Sequence, residues 1–386
     1  MTNETATALR HRLVEQLVAD GVLHDAEVRR AAETVPREVF LGPAIYKPSS
    51  PPGVTVWTPT LRDNTPADEW LRLTYSNQTW VTQLDGILAE DAVGPVTGGS
   101  PTSSSTLPGV VLWMIEQAGV TRGKRVLIIG AGTGLSTAYV CEIAGEQNVT
   151  SIETDAAAAE RARKALAEAG YAPTLIAADG LRGYSGRAPY DIVIAFCSMR
   201  HVPYGLLQQV KTGGTLLVTL SGWGVAHGLV HLTVAGSNLA QGRFLPGYTS
   251  FMIARPHDRP PHGPFELLPG DERSSRIDPA LLDDWTGRFV AQLAAPSAER
   301  LGAGSEQILL DVATGSQART RPADAREGWT VNQRGPLKLW NAVEDSIALW
   351  EGHGSPHLSE FGMTITPDAQ TVWLGEPHGP SWTLPI

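Results

Sequence analysis

The chain is poor in cysteine and in positive charge, and it has no long apolar run. Two cysteines, Cys141 and Cys197, occur in 386 residues. With no CxxC and no Cys/His cluster, neither a disulfide framework nor a metal site is expected. Lys and Arg number 30 against 40 Asp and Glu, a net charge of −10. That field does not draw in phosphate backbones or anionic lipid, so neither nucleic acid nor a membrane is expected as a partner. No stretch approaches the ~18 apolar residues of a membrane span, and Met1–Arg12 mixes Glu4 with Arg10 and Arg12 where a signal peptide would be apolar. A cytoplasmic location is expected, which makes the Asn-x-Thr triplets at Asn3, Asn77 and Asn148 chance matches. Hydrophobic residues at 42% and charged residues at 18% are normal for a folded protein. At about 150 residues per domain, the length gives two to three domains.

Leu9, Leu13, Val14 and Leu17 share one face of an amphipathic helix over residues 6–20 that Gly21 ends. A short helix from Asp25 follows and stops at Val35-Pro36, because a proline moves the preceding residue out of the helical region. Residues 48–66 are rich in Pro, Thr and Ser without periodicity and read as a surface segment. A Ser/Thr run, Thr102–Thr106, then leads into Pro108 and an apolar helix. Strands and helices then alternate: strands at 125–129, 149–153, 173–177, 190–195 and 214–220, with helices after Gly134, at 155–169 and at 203–210. That alternation predicts an α/β fold, a doubly wound and mostly parallel Rossmann-like sheet.

Beyond it lie β segments at 228–234, 241–245 and 249–254 around the Gly236-Ser237 and Pro246-Gly247 turns. Five prolines, at 256, 260, 261, 264 and 269, mark a linker. A small α+β C-terminal domain follows, with helices at 278–294 and 336–351, a strand at 306–313 and a hairpin at 361–374. It holds Trp285, Trp329, Trp340, Trp350, Trp373 and Trp382, six of the eleven tryptophans, as either an aromatic core or a peptide-binding face. The expected division is an N-terminal helical cap with an inserted substrate-side segment (1–100), a methyltransferase core (101–255), a linker (256–275) and the C-terminal domain (276–386).

Gly130, Gly132 and Gly134 form GxGxG between a strand and a helix, where the backbone can approach a ligand. The dinucleotide fingerprint requires a glycine at the position of Leu135, so the turn suits a single nucleoside. Glu153 ends the next strand, where a carboxylate can accept from both ribose hydroxyls, and Asp179-Gly180 ends the third, placed for an adenine amino group. S-adenosyl-L-methionine is the economical ligand for these three strand ends.

These motifs, with Arg12–Leu17, Val35-Pro36-Arg37 with Phe40, Ser104-Ser105-Thr106-Leu107-Pro108, Tyr190-Asp191, Val202-Pro203 and Gly213-Gly214, resemble the protein-L-isoaspartate O-methyltransferases over about residues 10–225. The resemblance implies methyl transfer from S-adenosyl-L-methionine to a peptide carboxylate. It carries cofactor contacts onto Gly130, Gly132, Gly134, Glu153, Asp179 and Gly180. Several positions depart from the family: Ile128 stands where members usually carry an acid, and Phe196-Cys197-Ser198 replaces a stretch of small residues. The segment with Trp57, Trp70, Tyr75 and Trp80 replaces a short loop, and the region past 256 is read as having no counterpart in the repair enzymes.

The extended chain is similar to the methyltransferases of graspetide and lanthipeptide biosynthesis, which implies methylation of an aspartate in a ribosomally made, modified precursor peptide, leading to aspartimide or isoaspartate. Conventional repair of isoaspartyl residues is the alternative. A binding module that has lost catalysis is a third reading, opposed by the intact glycines, Glu153 and Asp179. Ser104, Ser105 and Thr106 either hold the substrate carboxylate or cap the helix that follows. Arg200 is a candidate partner for a substrate carboxylate, His201 a surface loop residue, Cys197 an apolar filler and Asp191 a structural acid at a strand start.

Overall fold

A computed structural model of the chain describes residues 5–50, 54–236, 238–261, 263–323 and 328–386. Asn3, and Ser237 of the expected Gly236-Ser237 turn, lie outside them. The chain forms two compact units, one of Met1–Phe196 with Gln208–Leu217 and the other of Cys197–Leu207 with Val218–Ile386. The units part within strands, not at the proline-rich 256–275 segment that the sequence marks as the boundary.

The first unit opens with three helices, α1 (Ala6–Ala19), α2 (Ala26–Thr34) and α3 (Arg37–Leu41). Asp25 caps α2 by accepting from the Glu27 and Val28 amides, and the helix ends at Val35 before Pro36. The segment read as irregular is a β-sheet instead. Strands β1 (Ala44–Ser49) and β2 (Val56–Leu61) pair antiparallel, with Tyr46 opposite Pro59 and Pro48 opposite Trp57. Helix α4 (Ala67–Thr74) and strands β3 (Trp80–Leu84), β4 (Ile87–Leu88), β5 (Val96–Thr97) and β6 (Pro101–Ser105) complete it. The order is β4-β3-β1-β2-β5, with β6 on β3. Its aromatic residues fill two faces: Tyr46 packs with Val81, Leu84 and Trp57, while Trp70 and Trp80 pack with Leu41 and Ile45.

Helix α5 (Pro108–Gln117) precedes the alternating part, which runs β7 (Val126–Ile129), α6 (Leu135–Ala144), β8 (Val149–Glu153), α7 (Ala156–Glu168), β9 (Thr174–Ala177), β10 (Tyr190–Met199), α8 (Tyr204–Leu207) and β11 (Val210–Ser221). The order β9-β8-β7-β10-β11, with the β9–β8, β8–β7 and β7–β10 pairs parallel, is the expected doubly wound sheet. Strand β7 is buried throughout, as both-face coverage requires. Asp191 is structural, as expected, accepting from the Arg125 amide at 2.8 Å and pairing with Lys211 at 2.7 Å.

The second unit contains β12 (His227–Val234), β13 (Ala240–Phe244), β14 (Asp271–Ser274), α9 (Trp285–Ala294), β15 (Ala298–Ala303), β16 (Glu306–Asp311), β17 (Ser316–Pro322), β18 (Trp329–Arg334), α10 (Leu339–Gly352), β19 (Phe361–Ile365), β20 (Gln370–Leu374) and β21 (Ser381–Thr383). These strands form antiparallel sheets in the orders β12-β13-β19-β20-β21 and β14-β18-β17-β16-β15. The strand expected at 249–254 is only a bridge between Ser198 and Ile253. Phe244, Phe289, Phe361 and Trp382 stack in sequence at 5.2, 6.3 and 5.9 Å. With Trp340, Trp350 and Trp373 also buried, four of the six tryptophans belong to the core.

Candidate active site

The turn after β7 needs its glycines. Gly130, Gly132 and Gly134 have φ of 87°, 54° and 93°, a region that disfavours any residue with a Cβ. Gly130 and Ala131 donate to the Ile152 carbonyl at 2.9 and 3.2 Å, which ties the turn to β8. Helix α6 then starts with Gly134 as its cap residue and without a side-chain cap. Glu153, buried at the end of β8, accepts from the Gly132 amide at 2.8 Å and from the Asp155 amide at 3.1 Å. Each of its oxygens keeps a lone pair, so two hydroxyl donors can still be received.

Asp179, half-buried at the end of β9, spends one oxygen on the Leu181 amide at 3.0 Å. Its second oxygen lies 3.7 Å from the exposed Arg182 guanidinium. Gly180 is required by packing: a Cβ there would stand 2.5 Å from Ile129 Cγ2. A nucleoside needs an acceptor for its ribose hydroxyls, an acceptor for an amino group and a close backbone, and these three strand ends offer all three. The residues fit S-adenosylmethionine.

The hydroxyl run does not cap α5. Its cap residue is Leu107, which makes no side-chain cap bond. The caps come from upstream, where Thr79 Oγ1 accepts from the Leu107 amide at 3.0 Å and Asn77 Oδ1 from the Gly109 amide at 2.9 Å. The run is strand β6, so its side chains alternate in direction. Ser103 and Ser105 are buried, and Ser104 is half-buried. Ser103 Oγ accepts from Thr82 at 3.3 Å, whereas Ser105 Oγ is buried with no partner. The Ser104 carbonyl is 3.4 Å from where a Cβ on Gly132 would stand, so the hydroxyl strand lies against the glycine turn.

Sequence reasoning cited Arg37 only as part of a motif. It is buried, and Nη1 donates to the Thr74 and Ser76 carbonyls at 2.7 and 2.6 Å. Nη2 donates to Gln78 at 2.9 Å and reaches Thr106 at 3.5 Å. Burial pushes its pKa down to about 10, yet it stays charged near neutrality. Arg37 thereby fixes the 74–78 segment that supplies the α5 caps. In the sequence, only its place in the Val35-Pro36-Arg37 motif marks it. Nearby, Tyr75 donates to Glu38, and burial with that carboxylate pushes the Tyr75 phenol upward.

In the second unit, Cys197 and Arg200 are half-buried and Ser198 is buried. His201 is half-buried as well, with its ring 4.3 Å from that of His257, and is not the surface residue expected.

The fold and the three strand ends define an S-adenosylmethionine-dependent methyltransferase. The profile described as "Protein-L-isoaspartate(D-aspartate) O-methyltransferase (PCMT)" matches residues 77–227. A protein-L-isoaspartate O-methyltransferase 1 of Rhodopseudomonas palustris is 31% identical over 265 residues, covering 66% of this chain and 90% of that protein. One from Ignicoccus hospitalis is 30% identical over 211 residues, covering 54% of this chain and 80% of its own. The chain belongs to the protein-L-isoaspartate O-methyltransferase family and is an S-adenosylmethionine-dependent protein carboxyl O-methyltransferase.

A solved structure titled as a protein-L-isoaspartate O-methyltransferase aligns with a TM-score of 0.55 at 18% identity, over 95% of this chain and all of that one. That coverage overturns the expectation that the region past 256 lacks a counterpart among such proteins.

Proposed function

We propose that the chain methylates the side-chain carboxylate of an aspartate in a ribosomally made, modified peptide and so commits that residue to aspartimide. The observation that carries this reading is the substrate-side sheet. The family match begins at residue 77, leaving β1, β2 and α4 outside it, and the hydroxyl strand β6 is built onto that same sheet against the glycine turn.

S-adenosylmethionine supplies an electrophilic methyl group on a sulfonium. In this assignment Gly130, Gly132 and Gly134 cradle the cofactor, Glu153 receives the ribose hydroxyls, and Asp179 with Gly180 faces the adenine. A hydroxyl of Ser104, Ser105 or Thr106 donates to the acceptor carboxylate and aims one of its oxygens at the methyl carbon. An aspartate carboxylate, with an ordinary pKa of about 3.9, is already ionised near neutrality, so no general base is required. The work of the chain is alignment and exclusion of water. The carboxylate oxygen bonds to the methyl carbon as the carbon–sulfur bond breaks, leaving ester and S-adenosylhomocysteine. In the peptide, the following amide nitrogen then attacks the ester carbonyl, and methanol departs with the amide proton to give aspartimide.

Repair of isoaspartyl residues is the second reading. It is favoured by the names of the relatives and by the solved structure that spans both units. Mass spectrometry with S-adenosylmethionine separates the two. A macrocyclic aspartyl peptide that gains a methyl mass and then ends at net loss of water supports the first reading. Methylation of an unstructured isoaspartyl peptide alone supports the second and removes the first.

A further inference from the structure

Charged side chains buried in this protein are mostly neutralised. Glu344 pairs with Arg273 at 2.7 Å and with Arg276 at 2.9 Å, and Arg161 pairs with Glu90 at 2.9 Å. Arg37, which lacks an acid, spreads its charge over four backbone carbonyls. Arg200, which follows β10 in the second unit, has no acid paired with it among the described residues. It is half-buried, only burial perturbs its pKa, and no acid opposes that. Nη2 donates to the Pro296 carbonyl at 2.9 Å, while Nε and Nη1 make no hydrogen bond among the described residues.

The guanidinium is nevertheless held in place. It lies 3.7 Å over the Trp223 ring. The indole N–H donates to the His257 carbonyl at 3.0 Å, and His257 Nδ1 accepts from the Arg200 amide at 3.1 Å. The loop carrying Trp223 is itself constrained. Val225, a β-branched residue, sits at φ 58°, a conformation that persists only where surroundings impose it. Gln292 imposes it here, accepting from the Ala226 amide at 3.0 Å and donating to the Ala226 carbonyl at 3.2 Å. The same glutamine stands where a Cβ on Gly222 would approach to 2.8 Å. A planar cation is thus stacked, oriented and partly desolvated, with one edge of its fork left for a ligand. A carboxylate matches that edge with two parallel hydrogen bonds.

We propose that Arg200, stacked on Trp223, is a carboxylate-binding residue for the peptide substrate. This rests on the functional reading above and deepens it, assigning the second unit the recognition of acidic groups in the peptide. The carboxylate comes from an acid other than the methyl acceptor in the same peptide.

The test uses the full chain and a macrocyclic aspartyl peptide bearing one additional glutamate, together with its Glu→Gln version. Arg200→Gln should raise the KM for the first peptide at least tenfold with kcat changed less than threefold, and should leave S-adenosylhomocysteine affinity within twofold. Arg200→Lys should recover only part of the loss, because an ammonium lacks the planar fork. If the neighbouring glutamate is the ligand, the Glu→Gln peptide loses the same factor with the unsubstituted protein and nothing more with Arg200→Gln. Equal weakening of both peptides by Arg200→Gln would overturn the assignment of Arg200 to that neighbouring acid. Peptide binding with S-adenosylhomocysteine present, read by tryptophan fluorescence, gives a measure that does not need turnover. Binding without methylation that Arg200→Gln abolishes would overturn the functional reading and keep the site. Methylation and binding unchanged to within twofold in a folded Arg200→Gln protein would overturn the site and keep the reading.

Discussion

The Glu153 carboxylate accepts the amide hydrogen of Gly132 at 2.8 Å, joining the end of β8 to the turn after β7. The acid assigned to the ribose therefore also fixes the loop assigned to the rest of the cofactor. Glu153→Ala removes both functions, and hydrogen bonds to a charged group contribute about 1.5–3 kcal/mol each. S-adenosylhomocysteine binding measured by calorimetry should weaken about 100-fold on that basis. Glu153→Gln, which can still accept from Gly132, should lose less. Unchanged affinity in the alanine variant would remove Glu153 from the cofactor site.

Ser105 Oγ is buried with no partner, and an unsatisfied buried hydroxyl costs about 1–3 kcal/mol. Ser105→Ala should therefore leave the melting temperature unchanged or raise it. If the hydroxyl receives its partner from the substrate carboxylate, kcat/KM should fall about tenfold while cofactor affinity stays the same. An alanine variant with full activity would leave Ser104 and Thr106 as the hydroxyls to test.

The doubly wound sheet was legible because its strands are short β-prone segments closed by a turn or cap residue: Ile129 by Gly130, Glu153 by Asp155, Ala177 by Asp179. The sheet of β1 to β6 was not, since Pro48 and Pro59 stand inside β1 and β2, where proline argues against a strand. Strand β17 escaped notice for another reason. Its buried face carries Ser316 and Thr320 beside Ala318, with Thr320 Oγ1 donating to the Ser305 carbonyl at 2.7 Å, so no apolar alternation shows. Glu153 could be singled out from its strand end. The caps from Asn77 and Thr79, and the contacts of Arg37 behind them, could not, because nothing in spacing reports contacts across 28 to 37 residues.

Gly180 owes its identity to Ile129, whose Cγ2 would lie 2.5 Å from an added Cβ. Gly180→Ala should destabilise by roughly 1–3 kcal/mol through overpacking. Combining it with Ile129→Ala should cost less than the two separate losses added together, because the second change removes the clash. Strictly additive losses in thermal denaturation would show that the glycine serves something other than this packing.

Arg37→Met keeps the length of the side chain but strips the Thr74, Ser76 and Gln78 carbonyls of their donor. Leaving buried acceptors unpaired should cost about 3–5 kcal/mol, the range for breaking a buried charged network. The loss should also loosen the caps on α5. Hydrogen exchange at the Leu107 and Gly109 amides, which bond to Thr79 and Asn77, should quicken more than at the buried β7 amides. Equal acceleration everywhere would mean that Arg37 contributes to global stability without positioning the 74–78 segment.

His227 is buried in the second unit, with Ser198 Oγ 3.4 Å from Nδ1 and Ser250 Oγ 3.2 Å from Nε2. Burial, reinforced by the Arg288 charge, pushes its pKa down to about 4. The unfolded chain binds this proton near the ordinary value of about 6.5, so between the two values the unfolded state holds more protons than the folded one. Stability from this group is therefore fully present above pH ~6.5 and is lost as the pH falls toward about 4, by about 3 kcal/mol in all. His227→Gln keeps hydrogen-bonding capacity and cannot titrate. Urea denaturation at pH 7.5, 5.5 and 4 should show the unsubstituted protein losing more stability on acidification than the variant, with the gap opening below pH ~6.5. Parallel losses in the two proteins would mean that His227 is protonated in the folded state at an ordinary pH, and that its two serine neighbours accept from an imidazolium.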